Sequence, residues 1–151
     1  MDINIVRNIL KKKDYERLDC PSFGTCPQRA YYVPEGAKVS LSGEWEFRYY
    51  PDLRGICEKD PAPILVPSCW QTEGYDAHMY ANARYPFPFD PPHVPENMPC
   101  ALYTRRFPYT GGNRCYIRFE GVSSFYYLFI NGRQVGYSSV SHSGEEYDIT
   151  D

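Results

Sequence analysis

Seven prolines fall within 34 consecutive positions, residues 67–100, and fourteen within the whole chain of 151. Proline removes a backbone donor and fixes φ, so it is excluded from helix interiors and central strands. A chain this rich in it cannot be built from long helices or broad continuous sheets. It has to be short strands joined by loops. Residues 67–100 carry no regular pattern at all. A coil of that length is uncommon and is usually either functional or pinned by its neighbours.

The flanking segments alternate as strands do. Trp45, Phe47 and Tyr49 interleave with Glu44, Glu46 and Arg48, which places the aromatic set on one face. Further strands are predicted over Lys38–Leu41, Ile64–Val66, Leu102–Phe107, Cys115–Phe119, Phe125–Ile130 and Gln134–Tyr137. Asn131-Gly132 is a strong two-residue hairpin signal. No amphipathic helix stands out. Short strands with turn signals every few residues predict an all-β sandwich or barrel. Residues 1–19 mix Ile5, Ile9 and Leu10 with charge and fit either a short helix or an extended arm; the first 34 residues are expected to be an irregular arm that gains order by docking, leaving 35–151 as the sandwich.

Several function classes fall away. Acidic and basic residues number 19 and 16, for a net charge of −3, so no dense basic surface exists for nucleic acid. No apolar run reaches the ~18 residues of a membrane span. The amino terminus lacks a secretory pattern, so the expected location is cytoplasmic. The six cysteines then read as reduced thiols, although an even number leaves pairing open. His78, His93 and His142 do not stand at zinc-ligand spacing, and no metal site is expected. Gly111-Gly112 has no helix after it to make a phosphate loop. Ser68, Ser123 and Ser124 lack a nucleophile-elbow context. Glu145 and Glu146 point to opposite faces of an extended segment and cannot jointly flank one bond, so they read as a solvated terminus.

More specific strings lie in and around the Pro-rich loop. They are Val66-Pro67-Ser68-Cys69-Trp70-Gln71, Gly74-Tyr75-Asp76, Tyr80-Ala81-Asn82-Ala83-Arg84-Tyr85-Pro86, and Asp90-Pro91-Pro92-His93-Val94-Pro95. Leu41–Pro51 precedes them. Phe119–Phe125, Asn131–Ser138 and Glu146–Thr150 follow in order. Over residues 31–151 the chain resembles the amino-terminal domain of the glycoside hydrolase family 2 β-galactosidases.

That resemblance implies a jelly-roll, galactose-binding-domain-like β-sandwich. One more core strand and an acidic loop would follow in the family, so the sandwich is expected to lack its last strand here. It implies a parent enzyme that hydrolyses terminal β-D-galactosides with retention. The two catalytic glutamates would sit on a barrel of ~250 residues, which this chain cannot contain, so no catalytic residue is assigned and the piece alone is expected to be inactive. By position Asn82 is the substrate-binding residue, its amide both donating to and accepting from a sugar hydroxyl. Ala83 is expected to line the same pocket. Tyr80, Tyr85, Phe87 and Phe89 are read as pins for the loop rather than a stacking platform. No cofactor is expected in this piece, although full-length relatives often use Mg with Na or K. The implied partners are a galactoside, the catalytic barrel of the parent chain, and further copies of the enzyme through the amino-terminal arm. The alternative is a stand-alone carbohydrate-binding or assembly module without catalysis.

Overall fold

A computed structural model of the chain describes residues 1–28, 30, 38–79, 82, 88–109 and 114–150. The chain forms two compact units, Val39–Phe107 and a discontinuous one of Met1–Lys38 with Pro108–Asp151. All described strands pair antiparallel, with few helical residues, as expected of an all-β sandwich.

In the discontinuous unit, the stretch read as an irregular arm begins with a helix, α1 (Ile3–Leu10). Asp2 caps it by accepting from the Asn4 amide at 2.8 Å. Ile3 and Val6, one turn apart, are both buried. Eight residues is too short a window for that stripe to stand out in a sequence. Strand β1 (Ser22–Phe23) follows. It pairs with β7 (Arg133–Ser138), which pairs in turn with β6 (Tyr126–Ile130). The predicted Asn131-Gly132 turn joins β6 to β7, with φ of +50° and +81°. Both central residues are left-handed, as a two-residue hairpin needs. The ladder bulges between Leu128 and Phe129.

A second sheet pairs β5 (Tyr116–Phe119) with β8 (Glu145–Asp148). Its aromatics face those of the first sheet. Phe119 lies 5.3 Å from Tyr126, and Tyr147, with no exposed surface, lies 6.3 Å from both rings. The amino-terminal segment straps the two sheets together. Phe23 pairs with Tyr137 on β7, Thr25 bridges Tyr147 on β8, and the Cys26 amide donates to the Glu146 carbonyl at 2.7 Å.

The expectation of a solvated Glu145–Glu146 terminus is overturned. Both residues lie within β8 and are buried. Glu146 sits directly opposite Arg118, whose Nη1 is 3.8 Å from its carboxylate. An acidic pair looks like surface, but here the ladder carries it inward and supplies one of its counter-charges.

The unit Val39–Phe107 is a three-stranded sheet in the order β3 (Ala62–Val66), β2 (Gly43–Tyr50), β4 (Cys100–Thr104). The aromatic alternation on β2 is where the sequence put it, and Phe47 is 1% exposed. The strand predicted over Lys38–Leu41 does not form. Val39 is exposed, and the chain is extended only from Gly43, whose φ of +120° makes the entry bend. On the opposite face Tyr50 is buried, donates to the Cys57 carbonyl at 2.7 Å, and carries the Lys59 ammonium 4.4 Å above its ring.

Candidate functional site

The Pro-rich loop belongs wholly to the unit Val39–Phe107. Its first limb is a pair of tight turns. The Thr72 and Gly74 amides donate back to Cys69 and Gln71, and the Tyr75 amide donates to Trp70. Gly74 closes the turns at φ +82°, a backbone region open to glycine at no steric cost. These turns aim two rings at the aromatic face of β2. Tyr75 packs against Phe47 at 4.7 Å and Tyr49 at 5.9 Å, and Trp70 packs against Tyr49 at 5.7 Å.

A polar latch accompanies the rings. Burial raises the Tyr49 phenol above its ordinary range, and the charge of the neighbouring Asp76 carboxylate raises it further. Asp76 also accepts from the Ala77 amide at 2.8 Å. The returning limb is held separately, where the Leu53 amide donates to the Glu96 carbonyl at 3.1 Å and His93 folds back on Asp90 at 2.8 Å. The long coil is therefore pinned on both limbs, 67–79 and 88–99.

Asn82 lies between those limbs. It is an exposed turn residue, so its amide is open to solvent. Ala83, and with it Tyr80, Tyr85 and Phe87 of the expected pins, lies outside the described residues. Phe89 is described and largely exposed. Among the described residues, Trp70 and Tyr75, with Asp76 beside them, are the part of the loop that lies on β2. Sequence reasoning carried these residues in its quoted strings without giving them that role. The available signal was the aromatic face of β2, which needed a cover.

The other sequence candidates are dispersed. Among the described residues no three His, Cys, Asp or Glu side chains gather as a metal site. None of the six cysteines is in a disulfide. Burial pushes the Cys100 thiol up to about 11, which keeps it protonated and unreactive. No helix among the described residues is long and apolar enough to cross a membrane. Trp45 is half-buried and donates to the Leu41 carbonyl at 2.7 Å, as a structural tryptophan does.

An antiparallel all-β chain with a long, doubly pinned loop presenting an exposed amide is the setting in which the comparisons with known proteins take their meaning. The family model described as glycosyl hydrolases family 2, sugar binding domain, matches residues 39–151. The chain belongs to that family. Among curated proteins it is 35% identical over 164 residues to a β-galactosidase of Staphylococcus xylosus, covering 94% of this chain and 16% of that protein. It is 40% identical over 117 residues to the β-galactosidase of Actinobacillus pleuropneumoniae, covering 74% of this chain and 12% of that one. The β-galactosidase of Pectobacterium atrosepticum matches at 33% over 168 residues, with 96% and 16% covered. The chain thus spans less than a fifth of the length of these relatives.

Proposed function

We propose that this chain is the amino-terminal sugar-binding piece of a β-galactosidase, and that it lends Asn82 to the galactose subsite of the whole enzyme. The family match over residues 39–151 carries this reading. The chemistry is that of a positioning group. A sugar hydroxyl donates one hydrogen bond and accepts others, and a side-chain amide can answer both. An amide that only positions the sugar needs no proton of its own to move. It does need to be held still, and the pinning of limbs 67–79 and 88–99 favours that reading.

Cleavage of the terminal β-D-galactoside, with retention of configuration, would rest on two glutamates of a catalytic barrel in the same parent chain. The piece alone is then inactive. Ala83 would line the galactose by apolar contact, and the amino-terminal segment would take part in subunit contacts in a cytoplasmic oligomer. No cofactor is assigned to this piece; Mg with Na or K would belong to the full-length enzyme, and no step of the reading runs through them.

The test joins residues 1–151 to the remainder of the Staphylococcus xylosus relative in place of its own matching segment. Hydrolysis of o-nitrophenyl β-D-galactoside by the fusion, with none from the 151 residues alone, is expected. A folded but inert fusion contradicts the reading. So does tight galactose binding by the isolated chain, which would mark a stand-alone carbohydrate-binding module.

A further inference from the structure

In the unit Val39–Phe107, one face of the sheet carries Phe47 and Tyr49 and is covered by the first limb of the Pro-rich loop. The unit also holds a groove of about 430 Å³. Successive strand residues point to opposite faces, so Glu44 and Glu46 turn away from Phe47. Pro63 on β3 and Thr104 on β4 stand directly across from Glu46, one on either side. All four residues line the groove, and so do Arg105 and Arg106, just past β4. The Arg105 guanidinium donates to the Glu44 carbonyl, which anchors it there. Both glutamates are exposed, and neither forms an ion pair with a described residue.

This lining narrows what can bind. Two carboxylates share the groove with two guanidinium groups, so the arginines oppose a cation and the glutamates oppose an anion. Pro63 removes a backbone donor from β3, an edge strand of the described sheet, so an added peptide strand would meet a broken ladder. A neutral guest that both donates and accepts meets neither obstacle. A hydroxyl is such a group: it donates to a glutamate and accepts from an arginine or from Thr104. It replaces the water on these exposed groups with hydroxyls of the same kind, whereas a zwitterion must give up the hydration of its own charges. Pro61, Ala62 and Pro63 add an apolar wall for a C–H face. The volume falls within the range of small-molecule clefts, about 300–1,000 Å³.

We propose that this groove is a second carbohydrate site, which takes a neutral pyranoside with its hydroxyls on Glu46, Thr104 and Arg106 and its C–H face along Pro61 and Pro63. It uses no residue of the Pro-rich loop, so it stands or falls independently of the role of Asn82.

The test is an NMR titration of the full 151-residue chain with methyl β-D-galactopyranoside and methyl β-D-glucopyranoside, with the zwitterion glycylglycine and with n-propanol as controls. Weak but saturable shifts of the Glu46, Ala62, Thr104 and Arg106 amides are expected with the pyranosides and with neither control. Glu46→Ala and Arg106→Ala each remove one hydroxyl partner. Each should weaken pyranoside binding at least fivefold while its thermal melt stays at that of the parent chain, and either one suffices if the other fails to fold. Asn82→Ala should leave the shifts unchanged. Absence of saturable shifts at these amides in the parent chain overturns the proposal. Equal binding by a folded Glu46→Ala or Arg106→Ala overturns it, as does equal binding of glycylglycine or n-propanol. Loss of binding in Asn82→Ala overturns it too and assigns the sugar to the loop.

Discussion

The hydroxyl of Tyr147 on β8 donates to the hydroxyl of Tyr126 on β6 across 2.9 Å, joining two sheets that share no ladder. Both rings are packed by Phe119. Tyr147→Phe keeps the packing and removes one hydrogen bond. It should cost about 1 kcal/mol in urea unfolding, whereas Tyr147→Ala should cost about 3–5 kcal/mol. Equal losses for the two would place the stabilisation elsewhere.

The same tyrosines make the protein sensitive to alkali. Burial pushes Tyr126 up to about 12, and burial together with the bond to Tyr126 pushes Tyr147 higher. Burial beside Asp14 raises Tyr127 as well. An unfolded tyrosine titrates near ~10. The folded chain therefore keeps protons that the unfolded chain releases, so stability is complete below about pH 10 and declines as pH climbs toward 12. Absorbance at 295 nm should show part of the 15 tyrosines ionising only as the fold is lost. A single reversible titration of all of them near pH 10 would count against the packing described.

The strap depends on one missing side chain. A Cβ at Gly136 would meet the Phe23 carbonyl oxygen and come 2.6 Å from Cε1 of Tyr147. Gly136→Ala should destabilise by about 1–3 kcal/mol and raise amide exchange at Phe23 and Thr25 first. Unchanged exchange there would mean that the strap is not held at this point.

Phe47 supports the candidate site from below. It contacts Tyr75 of the loop at 4.7 Å and Tyr103 of β4 at 4.8 Å. Phe47→Ala should cost about 3–5 kcal/mol. It should also open the first limb of the loop, 67–79, to limited proteolysis before the sheet unfolds. Global unfolding without prior nicking would detach the loop from β2.

These relationships separate what a sequence displays from what it hides. The aromatic alternation of β2 and the Asn131-Gly132 turn are local, period-two or dipeptide signals, and the structure has both. The run Lys38–Leu41 carries the same local signal but finds no partner strand among the described residues, and pairing decides. The helix over Ile3–Leu10 is one of two readings of the amino terminus, because eight residues are too few for periodicity to decide between a helix and an extended arm. Glu145 and Glu146 were misplaced because burial of an acid is set by what lies opposite, here Phe119 across from Glu145 and Arg118 across from Glu146 in the β5–β8 ladder. The candidate site divides in the same way. Asn82 came from a string of residues, whereas the packing of Trp70, Tyr75 and Asp76 in the first limb is recognised only when that limb is seen lying on β2.

The central claim is that Asn82 serves a galactose site in a larger enzyme. Reading the gene past codon 151, expressing the whole frame and comparing kcat/KM on lactose for the parent and Asn82→Ala tests it most directly. The account predicts a barrel bearing two glutamates, and a loss of about 10- to 100-fold on removing the amide, the weight of one or two sugar hydrogen bonds. A frame without such a barrel, or an active enzyme indifferent to Asn82→Ala, would contradict it.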